Sequence, residues 1–158
     1  MIDRDAIARQ LDEEMAQLET AARQLDEQAL QRPTSNELWT VRDTLAHLIA
    51  SEETMFAQAM AIADGKSPQG NPAFDQAAFN QQGIEKRSGK SVAELLDELK
   101  TNRQRTLAFL RERSDADLER WGKTASGRDR QAGELVGRIA GHQLEHLEQI
   151  KAAVGAAR

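Results

Sequence analysis

The spacing of apolar residues is the sequence feature that most limits what this chain can fold into. Leucine, isoleucine, valine and alanine recur every three or four positions along four long stretches, and that period places them on one face of an α-helix. No stretch alternates polar and apolar residues as a half-buried strand does. The pattern therefore predicts an all-α fold, a four-helix bundle. Its helices are expected over about 3–30, 41–64, 91–113 and 131–154.

Capping residues and breaks in the pattern set the predicted helix boundaries. Thr40 with Asp43, and Ser91 with Glu94, have the spacing of capping boxes that begin the second and third helices. Residues 66–90, between those helices, lack the helical period. A connection of this length is long for a compact domain, and it leaves room for a short helix. It is also long enough to cross the bundle, so the order of the helices around the bundle stays open.

A second irregular stretch, residues 114–130, connects the third and fourth helices. We expect Trp121 to be its apolar anchor. Neither an internal repeat nor a low-complexity segment divides the chain, and 158 residues is an ordinary length for one domain with its own core. Residues 1–158 are therefore predicted to form a single domain.

Charge and composition argue against several classes of partner. The formal net charge is -5, which opposes electrostatic binding to nucleic acid. The first ten residues lack the apolar core of a signal peptide, and no apolar run approaches the length of a membrane span. We expect a cytoplasmic protein that binds neither nucleic acid nor membranes. The chain has no cysteine, so any thiol chemistry needs a thiol from outside.

The three histidines are the candidate functional residues. His142 and His146 are four positions apart, so they point the same way from the last helix. Both fall at an edge of that helix's apolar stripe, and His47 lies beside the stripe of the second helix. Edge positions are held by the core yet open to water, which is what a catalytic metal needs of its ligands. Polar residues at the boundary of a buried face are the alternative explanation.

The chemistry of known metal sites narrows the choice. Residues 142–146, H-Q-L-E-H, match the H-x-x-E-H pattern of inverted zinc proteases, but only twelve residues follow His146, too few to supply the further carboxylate ligand. A di-iron site needs Glu three positions before His, and no histidine here has one. A mononuclear site of His47, His142 and His146 is the metal hypothesis that remains. Zn²⁺ and Ni²⁺ both suit imidazole, and the sequence does not choose between them.

Other residues have structural explanations. Glu52 falls inside the apolar stripe of the second helix, where we expect it to pair with an arginine of a neighbouring helix. Trp39 is expected to pack over the start of that helix rather than to line a pocket. Glycines recur every four residues on the last helix, which favours close approach of a neighbouring helix or a second subunit. They are Gly133, Gly137 and Gly141.

Three stretches resemble members of the DinB-like superfamily, a group related to metal-dependent enzymes. N-E-L-W-T-V-R-D-T-L-A-H-L at 36–48 resembles the opening of that family's second helix. I-A-G-H-Q-L-E-H-L-E-Q-I at 139–150 resembles its final helix. F-N-Q-Q-G-I-E-K-R at 79–87 precedes the third helix, as in family members. The resemblance covers nearly the whole chain.

The resemblance implies a four-helix bundle that binds one divalent metal ion through His47, His142 and His146 and acts on a small-molecule substrate. It also implies a relationship to thiol-dependent enzymes, among them mycothiol-dependent maleylpyruvate isomerase and bacillithiol transferases. On that basis we expect a metal-dependent S-transferase or isomerase that uses an external low-molecular-weight thiol, assembled as a homodimer. A non-catalytic metal-binding or stress-response bundle is the alternative. The resemblance assigns no separate thiol-binding motif and no further catalytic residue.

Overall fold

The computed structural model describes residues 1–36, 38–68, 70 and 73–155. The regular secondary structure of the described chain is helical, apart from one small hairpin before the last helix. The elements in chain order are α1 (Arg4–Ala22), α2 (Glu27–Leu30), α3 (Val41–Ala63), α4 (Gln76–Glu85), α5 (Val92–Glu112), α6 (Asp115–Leu118), β1 (Trp121–Lys123), β2 (Asp129–Gln131) and α7 (Ala132–Gly155).

The predicted four-helix bundle is confirmed, and its long helices are α1, α3, α5 and α7. Both capping boxes form, with the Thr40 and Ser91 side chains accepting from the backbone N–H of Asp43 and Glu94. The first helix ends earlier than predicted, at Ala22, and the chain forms a turn before α2. Asp26 causes this second start, because its side chain accepts from the backbone N–H of Ala29 at 2.7 Å.

The helices are not arranged in simple chain order around the bundle. Helix α3 packs against α5 and α7, and α1 packs against the same two helices. Helices α1 and α3 are therefore at opposite corners, although they follow one another in the sequence. The long connection after α3 contains α4, which packs on α3. This arrangement places α3 beside α7, the two helices that carry the histidines.

Close packing against the first residues of the chain explains one of the three glycines. A side chain at Gly133 would meet Ile2 at 2.6 Å, and one at Gly137 would meet Ile7 at 3.5 Å. The first distance is too short for any other residue without movement of α1 or Ile2. Gly141 faces open space, with no described atom within 4 Å of a Cβ built there. A close approach is found at Gly133, but the neighbour is the side chain of Ile2, which precedes α1 of the same chain, rather than a helix or a second subunit.

The connection before α7 corrects two expectations. β1 and β2 pair as an antiparallel hairpin, with Trp121 opposite Gln131, whereas the sequence predicted no strand. Each strand has three residues, too few to show alternation in the sequence. Trp121 is 63% exposed, so it is not the apolar anchor of this segment. Leu118 is fully buried instead and takes that role.

Among the helices of the described ranges, none combines the length and apolar character needed to cross a lipid bilayer.

Candidate metal centre

The three histidines converge between α3 and α7. His47 is on the second turn of α3 and is buried, and His142 and His146 are on consecutive turns of α7 and are half-buried. Their ring centroids are 4.7–5.1 Å apart. One nitrogen from each ring lies within 4.8 Å of one nitrogen from each of the others. The structure thus brings together all three residues that the sequence selected, and metal binding by them stays a prediction.

The nitrogen spacing fits a divalent ion. His47 Nε2 and His142 Nε2 are 3.3 Å apart. In a tetrahedral zinc site with Zn–N distances of about 2.0–2.1 Å, two imidazole nitrogens are about 3.3–3.4 Å from each other. The Nδ1 atom of His142 is buried and has no hydrogen-bond partner in the described part of the chain. One nitrogen of His142 is therefore left without a protein partner.

Burial keeps two of the rings neutral. Desolvation, with the neighbouring His142 and His146, lowers the pKa of His47 to about 3. Desolvation also lowers the pKa of His142 to about 4, and the charges of His146 and Arg138 act in the same direction. Both imidazoles are uncharged at neutral pH, which is the form that binds a metal ion.

Three neighbouring side chains fix the orientation of the rings. The Nδ1 atom of His146 is 2.9 Å from Gln149 Oε1; an Nδ1–H donated to this oxygen leaves Nε2 free to bind a metal. Ser51 donates to the backbone carbonyl of His47 at 2.8 Å, and its hydroxyl lies 3.3 Å from His47 Nε2. Trp39 packs against His47 with ring centroids 4.5 Å apart.

The histidines form the floor of a cleft of about 460 Å³. Its walls come from α3, α4, the segment before α3 and the hairpin. Phe74, Phe79 and Met55 supply apolar surface. The polar lining includes Thr54, Gln58, Asn80, Ser126 and three arginines, Arg128, Arg130 and Arg138. A cleft of this size accommodates a small molecule.

A second groove of about 510 Å³ lies between α1 and α7. Its lining comes from 16–24 and 150–155, and Lys151 is the single ionisable side chain in it among the described residues. It offers neither a metal-binding group nor a nucleophile, so the histidine cleft is the better candidate site.

A buried polar cluster, which we call the central network, lies deeper in the bundle and joins all four long helices. It consists of Glu14 of α1, Glu52 of α3, Arg103 and Thr106 of α5, and Gln143 of α7. The Glu52 carboxylate accepts hydrogen bonds from Arg103 Nε at 3.2 Å, Thr106 Oγ1 at 2.9 Å and Gln143 Nε2 at 2.6 Å. The pairing of Glu52 with an arginine of a neighbouring helix is confirmed.

Glu14 is the exception in the central network. Its carboxylate oxygens have no hydrogen-bond partner in the described part of the chain, and Arg103 is 3.8 Å from Glu14 Oε2. Burial raises the pKa of Glu14 to about 8, against the opposing effect of Arg103. Glu14 is therefore mostly protonated at neutral pH.

Sequence reasoning missed several residues of the cleft. Trp39 lines the cleft and contacts His47, which corrects the expectation of a side chain that only covers the helix start. The hairpin arginines were missed because that segment has no helical period to indicate which way its side chains point. Gln149 was missed as well, although its position three residues after His146 placed it within reach on the same helix.

The class of this protein is defined by its fold and its site. It is a helical bundle, and three histidines from two neighbouring helices meet at the floor of a cleft. The chain belongs to the DinB superfamily, whose family model matches residues 10–150. This confirms the family that the sequence resembles. No curated protein is similar enough in sequence to count as a relative.

Solved structures share the fold. YfiT from Bacillus subtilis, described as "a probable metal-dependent hydrolase with an unusual four-helix bundle topology", aligns with a TM-score of 0.82 and 19% identity over 98% of this chain and 87% of that chain. The mycothiol-dependent maleylpyruvate isomerase aligns with a TM-score of 0.77 and 15% identity over 93% of this chain. This chain covers 60% of that enzyme's chain.

The colibactin self-resistance protein ClbS, solved in complex with double-stranded DNA, aligns with a TM-score of 0.76 and 14% identity over 97% of this chain and 96% of that chain. At such low identities the likeness establishes the fold alone.

Proposed function

We propose that this protein is a metal-dependent enzyme in which His47, His142 and His146 hold one divalent ion, Zn²⁺ or Ni²⁺. The observation that carries the proposal is the convergence of three imidazoles, with nitrogens within 4.8 Å of one another, at the floor of an open cleft. A structural zinc site is closed by four protein ligands, whereas a catalytic site with three keeps a position for water or substrate. Three histidines facing a cleft correspond to the second kind.

The reaction we propose is thiol-dependent transfer or isomerisation of a small molecule, with the thiol supplied from outside. When bound, a divalent ion lowers the pKa of a coordinating thiol and so provides a thiolate at neutral pH. The chain has no cysteine of its own. The mycothiol-dependent isomerase shares the fold, which is the support for a thiol-dependent reaction.

The ionisable groups of the cleft do not include a carboxylate general base in the described part of the chain. Among its described lining residues the ionisable side chains are histidines and arginines, with no aspartate or glutamate. Hydrolysis commonly uses a carboxylate general base within hydrogen-bond reach of the attacking water. A divalent ion lowers the pKa of a coordinated thiol and of coordinated water alike, so the missing carboxylate is compatible with either nucleophile.

The chain's own side chains have positioning roles in this proposal. Gln149 holds His146 in the tautomer that leaves Nε2 free. Trp39 covers His47 and keeps water from that side of the cluster. Thr54, Gln58 and Asn80 offer hydrogen bonds to a bound molecule, and Phe74 and Phe79 provide apolar contact.

Metal-dependent hydrolysis is the second candidate, because YfiT, which shares the fold, carries that description. The two reactions differ in their need for a thiol. A hydrolase cleaves an activated ester without thiol, whereas the proposed enzyme consumes an electrophile such as 1-chloro-2,4-dinitrobenzene only when thiol and metal are both present.

Metal binding can be followed through Trp39. In Trp121→Phe the remaining tryptophan has its ring 4.5 Å from His47, so Ni²⁺ bound at the cluster should quench its fluorescence. We expect quenching to saturate at one ion per chain, and His142→Ala to remove it while helicity is retained. Glu148→Ala, an exposed change on the same helix, is the matched control and should quench as the parent does.

Turnover tests the second half of the proposal. Metal-loaded protein should accelerate reaction of a low-molecular-weight thiol with an electrophile, and His142→Ala should not. Stoichiometric metal without turnover for any thiol would contradict the transferase assignment. Ester cleavage without thiol would favour the hydrolase, and inactivity in both assays would favour a non-catalytic metal-binding bundle.

A further inference from the structure

The walls of the histidine cleft carry positive charge in an acidic protein. The chain has a formal net charge of -5, yet Arg128, Arg130 and Arg138 line the cleft. No acidic side chain is among the lining residues in the part of the chain that the structure describes. Positive charge on the walls of a cleft favours an anionic over a cationic small molecule as its ligand.

Arg138 is aligned with the histidines along α7. It precedes His142 by four residues, as His142 precedes His146, so the three side chains leave the same face on consecutive turns. Successive members are about 6 Å apart along the helix axis, from a rise of about 1.5 Å per residue. The guanidinium is therefore within reach of a group about one helical turn away from whatever contacts His142.

The hairpin is held in place beside the same cleft. The backbone N–H of Ala125 donates to Gln58 Oε1 of α3 at 2.9 Å, and Ser67 accepts from the backbone N–H of Lys123 at 2.5 Å. These bonds tie the hairpin to α3 and to the segment after it. Arg128 follows the hairpin turn directly, so its backbone is anchored although its side chain is exposed.

Two of the three arginines are available for a ligand. Arg130 is paired with Glu134 at 3.4 Å. Arg128 and Arg138 form no ion pair with any residue of the described chain, and both are exposed. A planar guanidinium has the donor arrangement that matches a carboxylate through two parallel hydrogen bonds.

We propose that Arg138, assisted by Arg128, forms a carboxylate-binding subsite, and that the thiol or substrate entering this cleft carries a carboxylate about one helical turn from its reacting atom. This inference rests on the proposed function, because the histidine cluster supplies the second point of attachment. It adds the chemical class of the ligand. A carboxylate held by Arg138 orients a flexible ligand so that its other end reaches the cluster.

The test uses protein loaded with Co²⁺, whose absorption spectrum reports thiolate coordination without any turnover. The probes are 3-mercaptopropionate, which has a carboxylate, and 2-mercaptoethanol, which is similar in size and uncharged. We expect the unmodified protein to bind 3-mercaptopropionate about tenfold more tightly, the lower end of the effect of one hydrogen bond between charged groups. The preference should decrease as salt is added.

Substitutions of single arginines test which side chain causes the preference for 3-mercaptopropionate. Arg138→Gln should abolish it while leaving Co²⁺ stoichiometry and 2-mercaptoethanol affinity unchanged, and Arg128→Gln should reduce it by a smaller factor. Arg111→Gln is the matched control, since Arg111 is exposed on α5 and does not line the cleft. It removes the same charge and should keep the full preference.

The outcomes separate this inference from the proposed function. Failure to bind Co²⁺ at the histidines would contradict the metal site itself. Bound Co²⁺ with equal affinity for both probes, or a preference that survives in Arg138→Gln, would overturn the subsite and leave the metal site standing. Retention of a short DNA duplex that depends on Arg138, without any preference between the two thiols, would also overturn the subsite, because it would assign the arginine to a polyanion.

Discussion

The central network and the histidine cluster share helices α3 and α7 and use the polar groups of these helices in opposite ways. On α7, Gln143 points into the bundle and bonds Glu52, whereas its neighbour His142 faces the cleft. On α3, Glu52 belongs to the network and Ser51 to the cleft. Successive residues of a helix point about 100° apart, so adjacent positions serve two separate environments.

The difference shows how a polar group that serves the fold differs from one available for binding. Glu52 has three protein donors and is buried with a paired charge. The histidine nitrogens face one another, and the Nδ1 atom of His142 has no partner in the described chain. Burial disfavours charge in both places, lowering the pKa of His47 and raising that of Glu14. The Glu52 carboxylate thus has all its partners within the protein, whereas one nitrogen of the histidine cluster has none in the described chain.

The largest expected effect is on stability, from removal of the arginine in the network. Arg103→Met leaves the Glu52 carboxylate buried without its counter-charge, and we expect a loss of about 3–5 kcal/mol in the free energy of unfolding. Urea denaturation followed by circular dichroism measures it. The exposed substitution Arg111→Met should change stability by no more than about 0.5 kcal/mol. Equal effects of the two substitutions would remove the basis for treating the network as structural.

The second largest expected effect is a gain in the free energy of unfolding when the histidine cluster binds metal. A divalent ion at about 100 times its dissociation constant should raise the free energy of unfolding of the parent protein by about 2.7 kcal/mol. His142→Ala should gain nothing, because the binding site is lost, and its metal-free stability should stay within about 1 kcal/mol of the parent. If His142→Ala unfolded the metal-free protein, the cluster would be as structural as the network.

The pH dependence of the free energy of unfolding should have one sign for Glu14 in the central network and the opposite sign for the histidine cluster. Folded Glu14 keeps its proton up to about pH 8, whereas unfolded Glu14 loses it near pH 4.5, so its contribution to stability is lost as pH rises between these values, by at most about 1.4 kcal/mol per pH unit. Glu14→Gln should remove this loss. The stability difference between Glu14→Gln and the parent should therefore grow from pH 5 to pH 8, and a constant difference would mean that Glu14 does not titrate in this way.

Without metal, the histidines should lower the stability of the protein as pH falls, which is the opposite of the effect of Glu14. Folded His47 and His142 have pKa values of about 3 and 4, below their usual value of 6.5, so their contribution is present above pH 6.5 and is lost as pH falls. His142→Ala should therefore flatten the acid side of the stability curve in the presence of a chelator. The exposed substitution Arg111→Met serves as the control, because it leaves the three histidines in place and should keep the acid side of the curve as in the parent.

The smallest effect concerns orientation of a metal ligand. Gln149→Ala removes the partner of His146 Nδ1, and we expect metal affinity to fall about tenfold with the fold intact. A competition titration with a coloured chelator measures the change. Glu148→Ala, one position earlier and exposed, should keep the parent affinity. An unchanged affinity in Gln149→Ala would show that the ring is held by its packing alone.

Local parts of this molecule were predictable because their causes lie within a few residues. The capping boxes at Thr40 and Ser91 depend on partners three residues away. The shared direction of His142 and His146 depends only on the helical repeat. The early end of the first helix was not predicted, although its cause is local. The apolar stripe continues past Asp26, so the sequence pattern did not indicate that Asp26 caps a new helix.

Tertiary structure alone decided the features that join distant segments. Nothing near His47 in the sequence indicates that α3 packs beside α7, because bundle topology is set by how long connections cross and by which apolar faces fit together. The packing of α5 against α3 also brings Arg103, among the arginines of α5, into an ion pair with Glu52. Tertiary contacts also place the hairpin, with Arg128, against the cleft.

The sequence by itself determined that the chain forms amphipathic helices, where they begin, and that two histidines share a face, since hydrogen bonds and side-chain directions within a helix are fixed locally. Only the tertiary structure decided that His47 joins them, which carboxylate is paired and which is not, and which arginines surround the cleft. Those features depend on contacts between residues tens of positions apart, and such contacts form only when the whole core is buried at once.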